Sequence, residues 1–184
     1  MTAPRVFALD LSLTSTGAAY ALDGEVHTGI IRSVSDGPIV TDQHARLRGI
    51  VKGIWGFLDT WGTPELAVVE GPSYGSKGAG TWDRAGLWWL VMDSLISNRI
   101  PVAIVPPSCR ARYATGKGNA DKDLVLAETV RRFDRILRND EADALVLAAM
   151  GCDHLGHPLV AMPAANRTAL VKVAWPELVI ACAS

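Results

Sequence analysis

The chain opens with three consecutive strand-like segments, and this opening restricts its fold more than any other feature. Residues 5–11, 15–22 and 25–32 are short runs of strand-forming residues. Asp23-Gly24 separates the last two runs and is a strong hairpin signal. The sequence therefore predicts an antiparallel three-stranded meander at the start of the chain.

The segments that follow alternate between helical and strand-like patterns. Apolar residues at helical spacing predict helices, and short apolar runs ended by Gly-Pro or Pro-Pro predict buried strands. The predicted helices cover residues 42–60, 82–97, 108–113 and 121–137 and a segment that begins near Asp140, and the predicted strands cover 66–70 and 102–105. This order predicts an α/β fold with a mixed sheet flanked by helices.

Length, charge and cysteine content exclude several classes of protein. A chain of 184 residues fits one domain, and its net charge of −1 does not indicate a nucleic-acid binder or an acidic tail. Residues 99–138, however, carry nine basic and four acidic residues, which either form a solvated helix face or meet an anionic partner. Three widely spaced cysteines and the lack of an apolar run of roughly 18 residues predict a cytoplasmic protein without a membrane span.

Four acids lie within a predicted strand, at the end of one or at the start of a predicted helix. Asp10 interrupts the first apolar strand, Glu70 ends the fourth, and Asp140 and Asp143 share a face at the start of the last predicted helix. A buried carboxylate needs compensation, and four oxygen ligands suit Mg²⁺ or Mn²⁺. Two such ions can promote phosphodiester hydrolysis. We expect Glu141, on another face, to be solvated.

Each acid also has a structural interpretation. Asp140 can cap its helix, with Asp143 in the first turn favoured by the helix dipole. Glu70 before Gly71-Pro72 can be an ordinary acid at a strand end. Asp10 has no local partner except the Ser and Thr hydroxyls that follow it. The metal hypothesis therefore depends on the conjunction of the four acids.

Four segments resemble, in the right order, motifs of the RuvC-type Holliday-junction resolvases of the ribonuclease H-like superfamily. The segments are FALDLSLTSTGAAY, VVEGPSYGSKG, GKGNADKDLV and NDEADALVLAA, and they span roughly residues 5 to 155. The last two are the most specific. The resemblance implies a ribonuclease H-like mixed five-stranded sheet, three strands antiparallel and two parallel, with residues 1–157 as the nuclease domain and 158–184 as an extension packed on it.

The resemblance also implies an activity and its residues. Such a protein is a homodimeric endonuclease that uses Mg²⁺, with Mn²⁺ as a substitute, to nick four-way or other branched DNA at paired sites. Asp10, Glu70, Asp140 and Asp143 correspond to the two-metal ligands, and Lys122 to the catalytic basic residue close to the scissile phosphate. The short length and the tail are more similar to phage-encoded members, which act in the host cytoplasm and are less selective among branched substrates.

Several residues are candidates for DNA contact. The family carries an aromatic residue just after the second-motif glutamate; in strict register this chain has Ser73 at that position, and Tyr74 lies one residue later. The other candidates are basic residues, whose phosphate contacts would position DNA without reading its sequence. They are Lys77, Arg110, Arg112, Lys117 and Lys122.

Two other functions and one interface remain open. DLSLTSTG also resembles the first phosphate motif of the actin and sugar-kinase ATPases, although those proteins are longer and carry a second copy. A catalytically silent protein that binds branched DNA is the other alternative. The predicted helix that contains Trp88 carries Val91, Met92 and Leu95 at helical spacing, which predicts core packing or a dimer interface.

Overall fold

The computed structural model describes residues 3–34, 37–72 and 80–178. Within these ranges five strands form one sheet, and helices cover it. The strands are β1 (Val6–Asp10), β2 (Ser15–Leu22), β3 (Glu25–Arg32), β4 (Leu66–Glu70) and β5 (Val102–Val105). The helices are α1 (Val40–Leu58), α2 (Thr81–Ser97), α3 (Pro107–Thr115), α4 (Lys122–Phe133), α5 (Asn139–His154), α6 (Ala164–Arg167) and a 3-10 turn, Leu170–Lys172.

The sheet has the strand order β3-β2-β1-β4-β5. The first three strands pair antiparallel, whereas β4 pairs parallel with both β1 and β5. The predicted mixed five-stranded sheet is confirmed. Since β1, β4 and β5 run in the same direction, their carboxyl ends meet at one edge of the sheet, which is where open α/β sheets bind ligands.

Each face of the sheet packs against its own helices. Val6 and Ala8 point toward α5, whereas Phe7 and Leu9 point toward α1 and α2, as the alternation along a strand requires. From Ala142 to Asp153 every residue of α5 is buried. A Cβ on Gly151 would lie 2.7 Å from Val6 Cγ1, so only glycine lets α5 lie this close to the sheet. The buried body of α5 thus holds the first turn of the helix in a fixed position relative to the sheet.

The helix predicted over 121–137 extends four residues too far at its C-terminal end. Asp134 takes a left-handed conformation with φ of 49° and ends α4 at Phe133. The prediction failed because Leu137 continues the apolar periodicity past the end of the helix and packs on the core from a loop.

The segment after α5 contacts α3 and α5 through buried polar groups. Arg167 donates to both carboxylate oxygens of Asp153, at 3.0 and 2.7 Å, and the Asp153 side chain is fully buried. Asn166 donates to the backbone oxygen of Tyr113 at 2.8 Å. The Trp175 indole stacks on His154 with 4.1 Å between ring centroids. The sequence pattern of this segment did not predict these contacts.

In the described ranges we find no helix with the length and apolar character to cross a bilayer.

Candidate active site

Asp10 and Glu70 are neighbours at the carboxyl-end edge of the sheet. The parallel register pairs Leu9 of β1 with Val69 of β4, so the acid that follows each lies on adjacent strands. Both carboxylates line a cavity of about 250 Å³, together with Ser12, Arg84 and Trp88. The strands place two of the four predicted acids side by side.

A tight turn of hydroxyl residues follows Asp10. The Ser12 amide donates to Thr16 Oγ1 at 3.1 Å, and the amides of Thr14 and Ser15 donate to Ser12 Oγ at 3.3 and 3.4 Å. Arg46 holds the turn from α1 by donating to the Leu13 backbone oxygen at 2.5 Å. These amides bond within the turn, whereas a phosphate-binding loop needs backbone amides that point at the ligand. The turn therefore disfavours the ATPase alternative.

Gly17 brings α5 to the same edge. It pairs with Asp10 across β1 and β2, and a Cβ on it would lie 1.9 Å from the backbone oxygen of Asp140. Ser15 Oγ then donates to Asp140 Oδ2 at 2.5 Å. The hydroxyl-rich turn thus orients the side chain of Asp140. Ser15 and Gly17 lie close together in the sequence, but their contacts with Asp140 are seen only in the structure.

Two predictions about the first turn of α5 are wrong. Glu141 is not solvated: it accepts from the Arg138 backbone amide at 3.1 Å and from Thr28 Oγ1 at 3.4 Å. Glu141 therefore satisfies the helix start and fastens α5 to β3, and Asp140 is not the cap. The reason is that α5 begins at Asn139, which places Glu141 at the third helical position, where a glutamate reaches back to the preceding amide.

Asp143 meets Glu70 through an arginine. Arg110 Nη1 donates to Asp143 Oδ1, and Arg110 Nε donates to Glu70 Oε2. Arg110 is only 6% exposed, so it does not lie on the surface where we expected it to extend a row of phosphate contacts. The physical reason is that α3 begins directly after β5, which turns this residue toward the sheet edge.

Burial and charge crowding perturb the acids. The pKa of Asp10 is raised to about 7, first by burial and then by the charges of Glu70 and Asp143. Burial likewise raises the pKa of Asp143 to about 6, although the charge of Arg110 lowers it. Lys122 lowers the pKa of both aspartates, so its ammonium lies near them. The site holds more negative charge than its two cations offset.

The donor set fits a hard divalent cation. The side chains are carboxylates, and Asp143 Oδ2 is buried with no hydrogen-bond partner in the described structure. Among residues 3–34, 37–72 and 80–178, however, no three His, Cys, Asp or Glu side chains are already arranged to hold a metal ion. Arg110 instead binds two of the carboxylates.

The remaining predicted basic residues lie around this edge at differing depths. Lys122 is exposed at the start of α4, where the side chain of Asp121 caps the helix by accepting from the Leu124 amide at 2.8 Å. Lys117 is exposed, whereas Arg112 is half-buried, with its guanidinium against Gly118. The predicted contacts Tyr74 and Lys77 lie outside the described residues.

Comparison with known proteins decides the family. No family model matches the chain. The crossover junction endodeoxyribonuclease RuvC of Parasynechococcus marenigrum strain WH8102 is 31% identical over 144 residues, which span 75% of this chain and 85% of that protein. The chain belongs to the RuvC family. The predicted family is thus confirmed from the sequence side.

Solved structures confirm the RuvC fold. Thermus thermophilus RuvC matches with a TM-score of 0.65 at 17% identity, over 86% of this chain and 99% of that chain. The same protein in complex with a Holliday junction substrate gives 0.65 at 15% identity, over 87% and 99%. The yeast mitochondrial Holliday junction resolvase Ydc2 gives 0.51 at 10% identity, over 92% and 81%. At these identities the likeness supports the ribonuclease H-like fold alone.

Proposed function

We propose that this RuvC-family protein is a metal-dependent endonuclease that resolves four-way DNA junctions by paired nicks on opposed strands. The observation that carries the proposal is the convergence of four carboxylates from β1, β4 and α5 at one sheet edge, two of them with a raised pKa. Perturbed acids in a cleft are typical of functional sites. The Thermus relative in complex with a Holliday junction supports the choice of substrate.

Asp10, Glu70, Asp140 and Asp143 would hold the metal. Two Mg²⁺ ions, or Mn²⁺ in their place, would supply Lewis-acid activation of a water molecule and charge stabilisation at the leaving oxygen. The protein positions its carboxylates through the sheet register, the Ser15 hydroxyl and the buried α5.

Lys122 is the catalytic basic residue of the proposal. Its side chain is exposed to solvent at the start of α4, and its positive charge lowers the pKa of Asp10. It would bind the scissile phosphate. Arg112 and Lys117 would bind neighbouring phosphates, and so position the DNA by its shape. Tyr74 and Lys77 remain predictions for the loop after β4.

Paired nicks need two active sites, and α2 offers the surface for a homodimer. Trp82, Trp89 and Ile96 recur every seven residues on one side of α2 and are 90%, 66% and 62% exposed. Large apolar side chains exposed on one side of a helix in this way are typical of an interaction site. Val91, Met92 and Leu95 are buried within the protomer, so of the two roles left open for them they take core packing, and the proposed dimer surface is the opposite side of α2.

Sedimentation velocity tests the dimer. Trp89→Glu places a charge among the exposed apolar side chains of α2, and we expect it to yield monomers at concentrations where the parent is dimeric. Ile136→Glu is the matched control, because Ile136 is fully exposed in the loop after α4 and away from α2. A Trp89→Glu protein that sediments with the parent would remove this interface from the proposal.

A panel of labelled DNAs tests the substrate. We expect the protein with Mg²⁺ to nick a four-way junction symmetrically and to leave a linear duplex of the same arm sequence intact. The similarity to phage-encoded members extends the proposal to three-way junctions and flaps, and to action in the cytoplasm of the host. Cleavage of the four-way junction alone would disprove that broader range, and equal cleavage of the linear duplex would disprove structure selectivity.

A further inference from the structure

We propose that Arg110 is the stand-in cation of the metal-free active site: its guanidinium holds Glu70 and Asp143 in position and withdraws from them when a divalent cation binds. The inference rests on the proposed metal dependence and concerns how the site is kept assembled before the metal arrives. Arg110 is thus a positioning residue that acts through two metal ligands.

The contacts of Arg110 link β4 with α5 at this edge of the sheet. Its Nε donates to the acid at the end of β4, and its Nη1 donates to the acid in α5. The Arg110 side chain is 7% exposed, and the carboxylates are 15% and 3% exposed. Charged pairs this deeply buried persist only when both partners are satisfied.

Charge explains why a cation must stand here in the absence of metal. Asp10, Glu70, Asp140 and Asp143 bring four carboxylates to this edge, and the Arg110 guanidinium contacts two of them. Without Arg110, Glu70 and Asp143 would be buried acids facing one another with no cation in contact.

The guanidinium and a metal ion would share the carboxylates of Glu70 and Asp143, and their positive charges repel one another at this distance, so the two compete. Arg110 takes Asp143 Oδ1, while Oδ2 of the same carboxylate is buried and has no hydrogen-bond partner in the described structure. No three acidic side chains in that part of the chain are arranged to hold a metal as they stand. A cation bound to Glu70 and Asp143 therefore replaces Arg110 at one or both carboxylates.

The choice of arginine matches this role. A guanidinium presents several donors in a fixed fork and bridges two carboxylates at once, whereas an ammonium is a point charge that shifts its pKa when buried. Arg110 holds the carboxylates of Glu70 and Asp143 at a fixed separation. In the absence of metal, its charge offsets the repulsion between these two carboxylates. The cost is a lower affinity for the metal.

Binding of Mn²⁺ without DNA tests the competition, with free Mn²⁺ measured by electron paramagnetic resonance. Arg110→Met removes the guanidinium, and Arg112→Met is the matched control that removes the same charge two residues along α3. We expect Arg110→Met to bind Mn²⁺ about tenfold tighter than the parent, and Arg112→Met to change the affinity less than threefold. An Arg110→Met protein with unchanged or weaker affinity would overturn the inference.

A second measurement uses the parent, since loss of a buried arginine can impair folding. In ¹⁵N spectra of arginine side chains, the Nε–H signal that disappears in Arg110→Lys belongs to Arg110. We expect this signal to be protected from solvent exchange in EDTA, and to shift and lose protection as Mg²⁺ is added. A signal unchanged at saturating Mg²⁺ would overturn the inference alone, whereas a parent that binds no divalent metal would overturn both this inference and the proposed metal dependence.

Discussion

Asp10→Asn should make the metal-free protein more stable, because it removes one charge from a crowded, buried cluster. The pKa of Asp10 rises from 3.8 to about 7 in the folded protein. At neutral pH this difference disfavours the folded state by about 4 kcal/mol relative to an unshifted carboxyl group. An amide keeps the shape but not the charge, so we expect it to recover roughly 1–3 kcal/mol, or about 2–12 °C in Tm for a chain of this size.

The sign follows from linkage. Between pH 3.8 and about 7 the folded protein keeps the Asp10 proton and the unfolded chain has lost it, so the parent loses stability as the pH rises through this window. Thermal unfolding in EDTA at pH 5 and pH 8 measures the effect, and the difference between Asp10→Asn and the parent should grow toward pH 8. Asp123→Asn, at an exposed acid in the first turn of α4, is the control. Equal or lower stability of Asp10→Asn at pH 8 would refute the argument from charge crowding.

Three further substitutions probe how the site is held. Gly17→Ala places a Cβ 1.9 Å from a backbone oxygen in the first turn of α5, so we expect the free energy of unfolding, measured with denaturant, to fall by roughly 1–3 kcal/mol. Gly49→Ala is the control: its Cβ would meet nothing within 4 Å inside α1, and we expect it to be neutral or stabilising. Lys122→Ala should slow junction cleavage and make binding less dependent on salt in a titration of NaCl. Arg167→Ala leaves the fully buried Asp153 without its cation, and we expect roughly 1–3 kcal/mol less stability by denaturant unfolding.

The sheet was predictable from the sequence because its signals are local. Alternating strand-formers, the Asp23-Gly24 turn and the two apolar runs each specify one element, and the handedness and pairing rules leave few ways to combine them. The end of α4 was not predictable, because the apolar spacing through Leu137 is the same for a helix and for a loop that packs on the core. The local sequence pattern specifies the type of element but not the residue at which it ends.

The acids of the site were predictable by type and position, but their partners were not. Asp10 stood out because it interrupts an apolar strand, and Asp143 because it shares a face with Asp140 at the start of a helix. Arg110 looked like one of nine basic residues in an exposed stretch, and only the packing of α3 after β5 turns it toward Glu70. Glu141 was misassigned because its role depends on which residue begins α5. Such roles depend on contacts between residues far apart in the chain, which spacing does not encode.

The most direct test of the central claim is the Mg²⁺-dependent cleavage of a labelled four-way junction by the parent and by Asp143→Asn, with junction binding measured in parallel. We expect the parent to produce paired nicks only when Mg²⁺ is present, and Asp143→Asn to bind the junction with the parent's affinity and to produce none, because it removes a metal ligand without removing a phosphate contact. Equal cleavage by the two proteins, or cleavage by the parent in EDTA, would contradict the account.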